Sequence, residues 1–321
     1  MHLLLPLQSA CRTGNFMEMA VIEVLSDILV ALDRGDLAAL TLLDLSVAFD
    51  AVDHATMIRR LQVSYGIHGR VLDWCTLHLS DCWVYVRSEK TRSWPTLLRF
   101  GVQQGSVLSA LHSRHHRPHL RAHQLLPHLY ADDTQVYGFC RPDQTAGLCQ
   151  QITACMEDVA KWMSANRLQL NVAKTEFLWC SSHQRMHQLP VTPVLISGNS
   201  VDPASVLCDL GVWIDRGLSM SMHITKVVSG CFAVLCELYS IHCSVSRESL
   251  ITLVVPLVLT QLDHCNAVLA GLPACQLEGP RHLTVARLAA GELTMRHLTP
   301  SPFYRGQLTA KPCKYISLYQ V

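Results

Sequence analysis

Three aspartates interrupt apolar runs where a carboxylate needs a chemical reason. Asp44 lies near the end of the first strand candidate, in LLDLSVAFD, and Asp132 and Asp133 stand side by side in LYADDTQVY. A carboxylate among apolar residues is costly unless a cation compensates it. Brought together by neighbouring strands, the three would offer hard oxygen ligands to Mg²⁺ (or Mn²⁺), which binds through a few carboxylates plus substrate phosphates. A centre of that kind supports in-line displacement at phosphorus. Each motif alone is equally what an ordinary turn aspartate looks like, and spacing leaves both readings open.

The surrounding pattern supplies elements able to carry these residues. Val21, Val24, Leu25, Ile28, Leu29 and Leu32 recur at helical spacing within Met17–Leu32, and Asp33-Arg34-Gly35-Asp36 ends that helix. Leu37–Leu45 reads as a buried strand containing Asp44. His54–Tyr65 and Gly66–Leu79 read as helices. Cys82–Arg87 and Leu97–Val102 read as a hairpin across a turn with Ser93 and Pro95. Leu129–Ala131 and Thr134–Phe139 flank Asp132-Asp133 as strand, acidic turn, strand. Leu148, Ile152, Cys155, Val159 and Trp162 form one helical stripe in Ala146–Met163, with Asn166 as its stop. Strands follow at Leu168–Leu170 and Thr175–Cys180, around a loop holding Lys174. Beyond Pro190 the pattern changes to a strand-like run, Leu207–Ile214, around Gly211 and then, from Met220 to Leu269, to mostly helical periodicity.

The order of these segments resembles a known family. LLDLSVAFDAVDH is similar to the first palm motif of the reverse transcriptases of non-LTR (LINE) retrotransposons, GVQQGSVL at Gly101–Leu108 to their Gly-Val-Pro-Gln-Gly-Ser motif, and LYADDTQVY to their metal-binding hairpin. LQLNVAKTEFL and DLGVWID follow where that family has its lysine near the leaving phosphates and its primer grip. QSACR at Gln8–Arg12 resembles its fingers segment, and QLDHCNAVLAGLP at Gln261–Pro273 the thumb side of the CR1/L2-like branch. The resemblance covers roughly residues 8 to 300. It implies an α+β right-hand polymerase with fingers, palm and thumb, an antiparallel palm sheet and a helical C-terminal thumb. It implies that Asp44, Asp132 and Asp133 hold Mg²⁺ or Mn²⁺ and that Lys174 assists the pyrophosphate. It also implies that Phe49 lies under the incoming sugar, that Gln104 and Gly105 approach template or nucleotide, and that Arg12 contacts substrate. An RNA template, a DNA primer and deoxynucleoside triphosphates are the implied partners.

The sequence departs from that pattern in places. Gln103 stands where the family has proline, giving up a pre-set turn, and Ser109 stands where it has glycine. Between Leu111 and His128 the expected apolar helix is replaced by a block with His112, His115, His116, His119, His123, His128, Arg114, Arg117 and Arg121. His115, His119 and His123 repeat at i, i+4, a spacing that suits zinc on a helix, but Pro118 obstructs that helix. Two compensating frameshifts account for the block more simply. With no endonuclease-like segment ahead of the fingers motif, the expectation is a truncated, degenerate copy. Its alternative to an active polymerase is an inactive or domesticated remnant that at most binds nucleic acid.

Composition bounds the rest. The 321 residues are 50% hydrophobic, enough for a core. A formal charge of +1, from 26 Lys and Arg against 25 Asp and Glu, is weak for a protein that grips phosphates. Fourteen cysteines contain no C-x-x-C pair and read as reduced thiols. Met1–Leu7 is too short for a signal peptide, and Leu250–Leu262 too short to span a bilayer. The expectation is an intracellular protein, nuclear or cytoplasmic, without a membrane partner. Arg59, Arg60, Arg87, Lys90, Arg92 and Arg99 with Trp83 and Trp94 read either as a nucleic-acid patch or as solvated surface. The expected divisions are fingers and palm over 1–190, primer grip and thumb over 191–300, and an unassigned tail over 301–321.

Overall fold

The computed structural model describes residues 16–46, 52–88, 91–102, 123–131, 133–165, 169–241 and 243–269. They divide into two compact units, one made of residues 16 and 28–204, the other of 17–27 and 205–269. The arrangement is mixed helix and antiparallel sheet, as the hydrophobic periods require.

Helix α1 (Met17–Asp33) closes at Gly35, whose φ of +90° is the left-handed stop that glycine supplies without strain. Strand β1 (Leu37–Leu43) follows, then the short strand β2 (Leu45–Ser46). Helix α2 (His54–Val63) is capped by Asp53, whose carboxylate accepts the Thr56 N–H at 2.9 Å. Helix α3 (Arg70–Leu79) packs with it through Met57, Leu61, Tyr65, Cys75 and Leu79. An exposed ribbon comes next, with β3 (Trp83–Val84) paired to β6 (Thr96–Leu97) and β4 (Arg87–Ser88) paired to β5 (Thr91–Arg92). The ribbon therefore reverses beyond Ser88, and Ser93 and Pro95 lie in its second arm rather than at the expected turn.

Strands β7 (Leu126–Tyr130) and β8 (Asp133–Cys140) form a hairpin that leads to helix α4 (Thr145–Ala165). Strands β9 (Gln169–Leu170), paired to β2, and β10 (Glu176–Cys180) complete the sheet region. β1 lies between β8 and β10, in a four-stranded antiparallel sheet ordered β10, β1, β8, β7. Alternation sorts its faces. Leu37, Ala39, Leu43, Val136, Phe177 and Trp179 pack on Leu148, Ile152, Cys155, Val159 and Met163 of α4. Asp44, one residue past the end of β1, is not part of this packed set. A hairpin of β11 (Val194–Ile196) and β12 (Asn199–Val201), unannounced by its short sequence, adds Val194 and Ile196 to the α4 core.

The second unit holds the hairpin β13 (Val206–Asp209) and β14 (Val212–Asp215), then helices α5 (Ser221–Ile241) and α6 (Arg247–Val254). A π-helical stretch, Val255–Leu259, continues α6 and contains Pro256, which cannot donate to the preceding turn. Val228, Cys231, Leu235 and Leu238 of α5 pack with Val254 and Val258. α5 is long and apolar enough to cross a membrane by length and composition. One face of it, through Val228, Cys231, Leu235 and Leu238, is buried, while most of its surface is not.

Candidate active site

β1 ends one residue before Asp44, and strand register fixes its neighbours. Leu42 pairs with Gln135 and Leu43 with Thr134. The next residues along are Asp44, just past the end of β1, and Asp133, the first residue of β8. Asp133 reaches that position through the turn of the β7–β8 hairpin, where Tyr130 pairs with Asp133 and Ala131 takes a φ of +54°. A two-residue connection is the shortest common hairpin link, and it makes Asp133 the first residue of β8.

On the other side of β1 the pairing changes partner. Leu42 pairs with Glu176 of β10, whereas Leu45 pairs with Leu170 of β9. The 3-10 turn Val172–Lys174 absorbs the offset. Asn171 stands at the switch and ties it together. Its N–H donates to the Asp44 carbonyl at 2.9 Å, and its side-chain amide donates to Asp44 Oδ2 at 3.1 Å. Its own carbonyl accepts from the Lys174 N–H at 3.1 Å and the Thr175 hydroxyl at 2.9 Å. The turn thereby folds Lys174 back so that Nζ lies 3.6 Å from Asp44 Oδ2. The Lys174 side chain is 70% exposed and that of Asp44 33%. Asn171 was not singled out from sequence; its only signal was its place three residues before Lys174 in LNVAK.

The structure thus brings together Asp44, Lys174 and Asn171, with Asp133 opening the neighbouring strand β8. Asp132, Phe49, Gln104, Gly105 and Arg12 lie outside the described residues, as does Asn166. Among the described residues no three His, Cys, Asp or Glu side chains form a cluster able to hold a metal. The Asp44 carboxylate is compensated by Lys174, and Asp133 at the start of the adjoining strand is a second hard oxygen donor of the kind Mg²⁺ takes.

Other expected contributors occupy different places. His128 is buried in β7 across from Gln135, and its Nδ1 donates to Gln135 Oε1 at 2.8 Å. His123 binds Asp158 of α4 at 3.0 Å, and that bond, with lesser help from Lys161, holds the Asp158 carboxyl below the usual carboxylate range. Both residues of the histidine-rich block therefore join the fold; its other four histidines lie outside the described residues. Arg60 is buried, stacked 5.7 Å from the Trp162 ring centroid, and desolvation lowers its pKa. It belongs to the interior, not to a surface basic patch.

A family model described as "Reverse transcriptase (RNA-dependent DNA polymerase)" matches residues 7–198. A Drosophila melanogaster protein named "Probable RNA-directed DNA polymerase from transposon BS" is 26% identical over 265 residues, covering 77% of this chain and 27% of that relative. The chain spans about a quarter of the length of the curated relative it matches.

Proposed function

The chain belongs to the reverse transcriptase (RNA-dependent DNA polymerase) family, and from that premise we propose that it carries the polymerase palm of a LINE-type, CR1/L2-like retrotransposon. The observation that carries this reading is Lys174 at 3.6 Å from the Asp44 carboxylate, where the β1–β8 register ends at Leu43 across from Thr134 and Asp44 and Asp133 are the next residues along. In this reading the four-stranded antiparallel sheet and α4 are the palm, the segment around Arg12 belongs to the fingers, and the α5–α6 region is the thumb.

Asp44, Asp132 and Asp133 would hold divalent cations. Bound there, such ions supply activation of the primer hydroxyl and charge neutralisation on the leaving pyrophosphate. The chain's own residues do the positioning. Asn171 fixes one oxygen of Asp44, which keeps the carboxylate in one rotamer. Lys174, on a flexible and largely exposed stem, is free to exchange Asp44 for a leaving phosphate oxygen. Phe49 would lie under the nucleotide sugar and exclude a 2′-hydroxyl. Gln104 and Gly105 would approach template or nucleotide, and Arg12 the substrate. The RNA template, DNA primer and deoxynucleoside triphosphates are the proposed partners.

Primer extension on poly(rA)/oligo(dT) with Mg²⁺ or Mn²⁺ tests the reading, with Asp44→Asn, Asp132→Asn and Asp133→Asn run beside the parent. Extension that disappears in all three variants is expected. A second reading, a remnant that binds nucleic acid without copying it, is favoured by Gln103 in the turn motif and by a net charge of only +1. Folded protein that binds the duplex and extends nothing would select that second reading.

A further inference from the structure

Every described residue of the ribbon, from Trp83 to Ser88 and from Thr91 to Phe100, is exposed. A two-stranded ribbon alone is marginal in water, and one carrying this much apolar surface needs an occupant. Its register assigns the surface to one face. Arg87 pairs with Arg92, and the Ser93 N–H donates to the Val86 carbonyl at 2.9 Å, so Tyr85 falls opposite Trp94. Pro95, which has no N–H to pair, is the extra residue, and beyond it Trp83 pairs with Leu97. Alternation then puts Trp83, Tyr85, Arg87, Arg92 and Trp94 on a single side. The Arg92 guanidinium, 3.4 Å from the Tyr85 ring centroid, agrees with that assignment. Trp94 is 91% exposed and Trp83 61%.

The base of the ribbon is held in place. The Leu98 N–H donates to the Cys82 carbonyl at 2.7 Å and the Gly101 N–H to the Val52 carbonyl at 2.8 Å, and Asp53 bridges Phe100. The only charged side chains among the described residues 82–100 are Arg87, Arg92 and Arg99. In the sequence Glu89 and Lys90, between the two arms, cancel.

We propose that this face is a stacking platform for the unpaired stretch of an RNA strand. Aromatic rings beside guanidiniums are the chemistry of single-strand binding: any base offers a π-face, and the cations take the phosphates. Residues two apart on a strand repeat at about 6.8 Å, room for one base between successive rings. A second copy fits worse, because a self-complementary contact would bring four arginines together. The RNA character of the strand rests on the polymerase reading; the platform itself does not.

Fluorescence anisotropy of the full chain with a labelled oligo(rU) 20-mer, without nucleotides, tests this. The Trp83→Ala/Trp94→Ala variant is expected to bind roughly a hundredfold more weakly, about tenfold per ring, and Trp83→Phe/Trp94→Phe to recover most of that. Arg87→Gln/Arg92→Gln should lower the salt slope by about 0.7 per arginine. Unchanged affinity in the folded alanine variant, or an unchanged salt slope in the arginine variant, overturns the proposal. So does self-association, seen by sedimentation, that disappears with the tryptophans while RNA binding persists. Tryptophan-dependent RNA binding together with no primer extension by the parent supports the platform and counts against the polymerase reading alone.

Discussion

Asp44 is held by its neighbours and contributes little to holding them. Its ion pair with Lys174 is largely solvent-exposed, and such pairs are worth at most about 1 kcal/mol. Asp44→Asn should therefore leave the urea midpoint nearly unchanged while primer extension falls at least about a hundredfold. Asn171→Ala tests positioning separately. It removes the 3.1 Å bond to the carboxylate but keeps the backbone bond. Extension is expected to fall about tenfold, in proportion to one hydrogen bond to a charged group, with the pH profile of the reaction displaced. A loss as complete as that of Asp44→Asn would make Asn171 more than a positioning residue.

At the scale of elements, turns and one helix face bear the strongest constraints. In the β13–β14 hairpin Leu210 and Gly211 have φ of +47° and +85°, the pattern of a type I′ turn. A Cβ on Gly211 would lie 2.9 Å from His264 Nε2. Gly211→Ala should cost about 1 kcal/mol or more, read as a lower urea midpoint with the slope unchanged. In α4 Ile152 is 1% exposed, between the sheet and its neighbours. Ile152→Ala should destabilise by about 2–5 kcal/mol, whereas Gln151→Ala, one residue away on the exposed side, should lie within about 0.5 kcal/mol of the parent. Equal effects would mean that the α4 face is assigned wrongly.

Over the whole molecule, buried titratable groups set the response to pH. His223 is buried, and the Trp213 N–H approaches its Nδ1 at 3.4 Å, which requires an unprotonated nitrogen there. Burial pushes its pKa down, with His264 adding repulsion. The unfolded chain then takes up a proton first, so stability is retained above about pH 6.5 and lost as pH falls towards the lower folded value. Asp158 acts in the same direction in the acid range, since its folded carboxyl is held below the usual value. Thermal melting should drop between pH 7.5 and 5.5, and His223→Gln should flatten part of that slope; an unaltered slope would assign the effect elsewhere. The thiols of Cys155 and Cys265 are pushed up to about 12 by burial first, which keeps them protonated at neutral pH.

Local pattern determined much of this protein. Helix and strand periods are properties of a few consecutive residues, so α1, β1, α4 and the acidic hairpin were legible from the chain, as was the ordered set of motifs that identifies the family. The ribbon was legible only as a hairpin, because the step at Pro95 depends on how its two arms align. Tertiary structure alone decided where the site closes. Asn171 meets Asp44 across 127 residues, and no local signal announces that β1, paired to β10, gives way there to β2, paired to β9. The same holds for His128, which composition grouped with an unusual block and register paired with Gln135. A sequence records what each segment can form; register between distant strands, set by which faces must be buried together, decides which side chains meet.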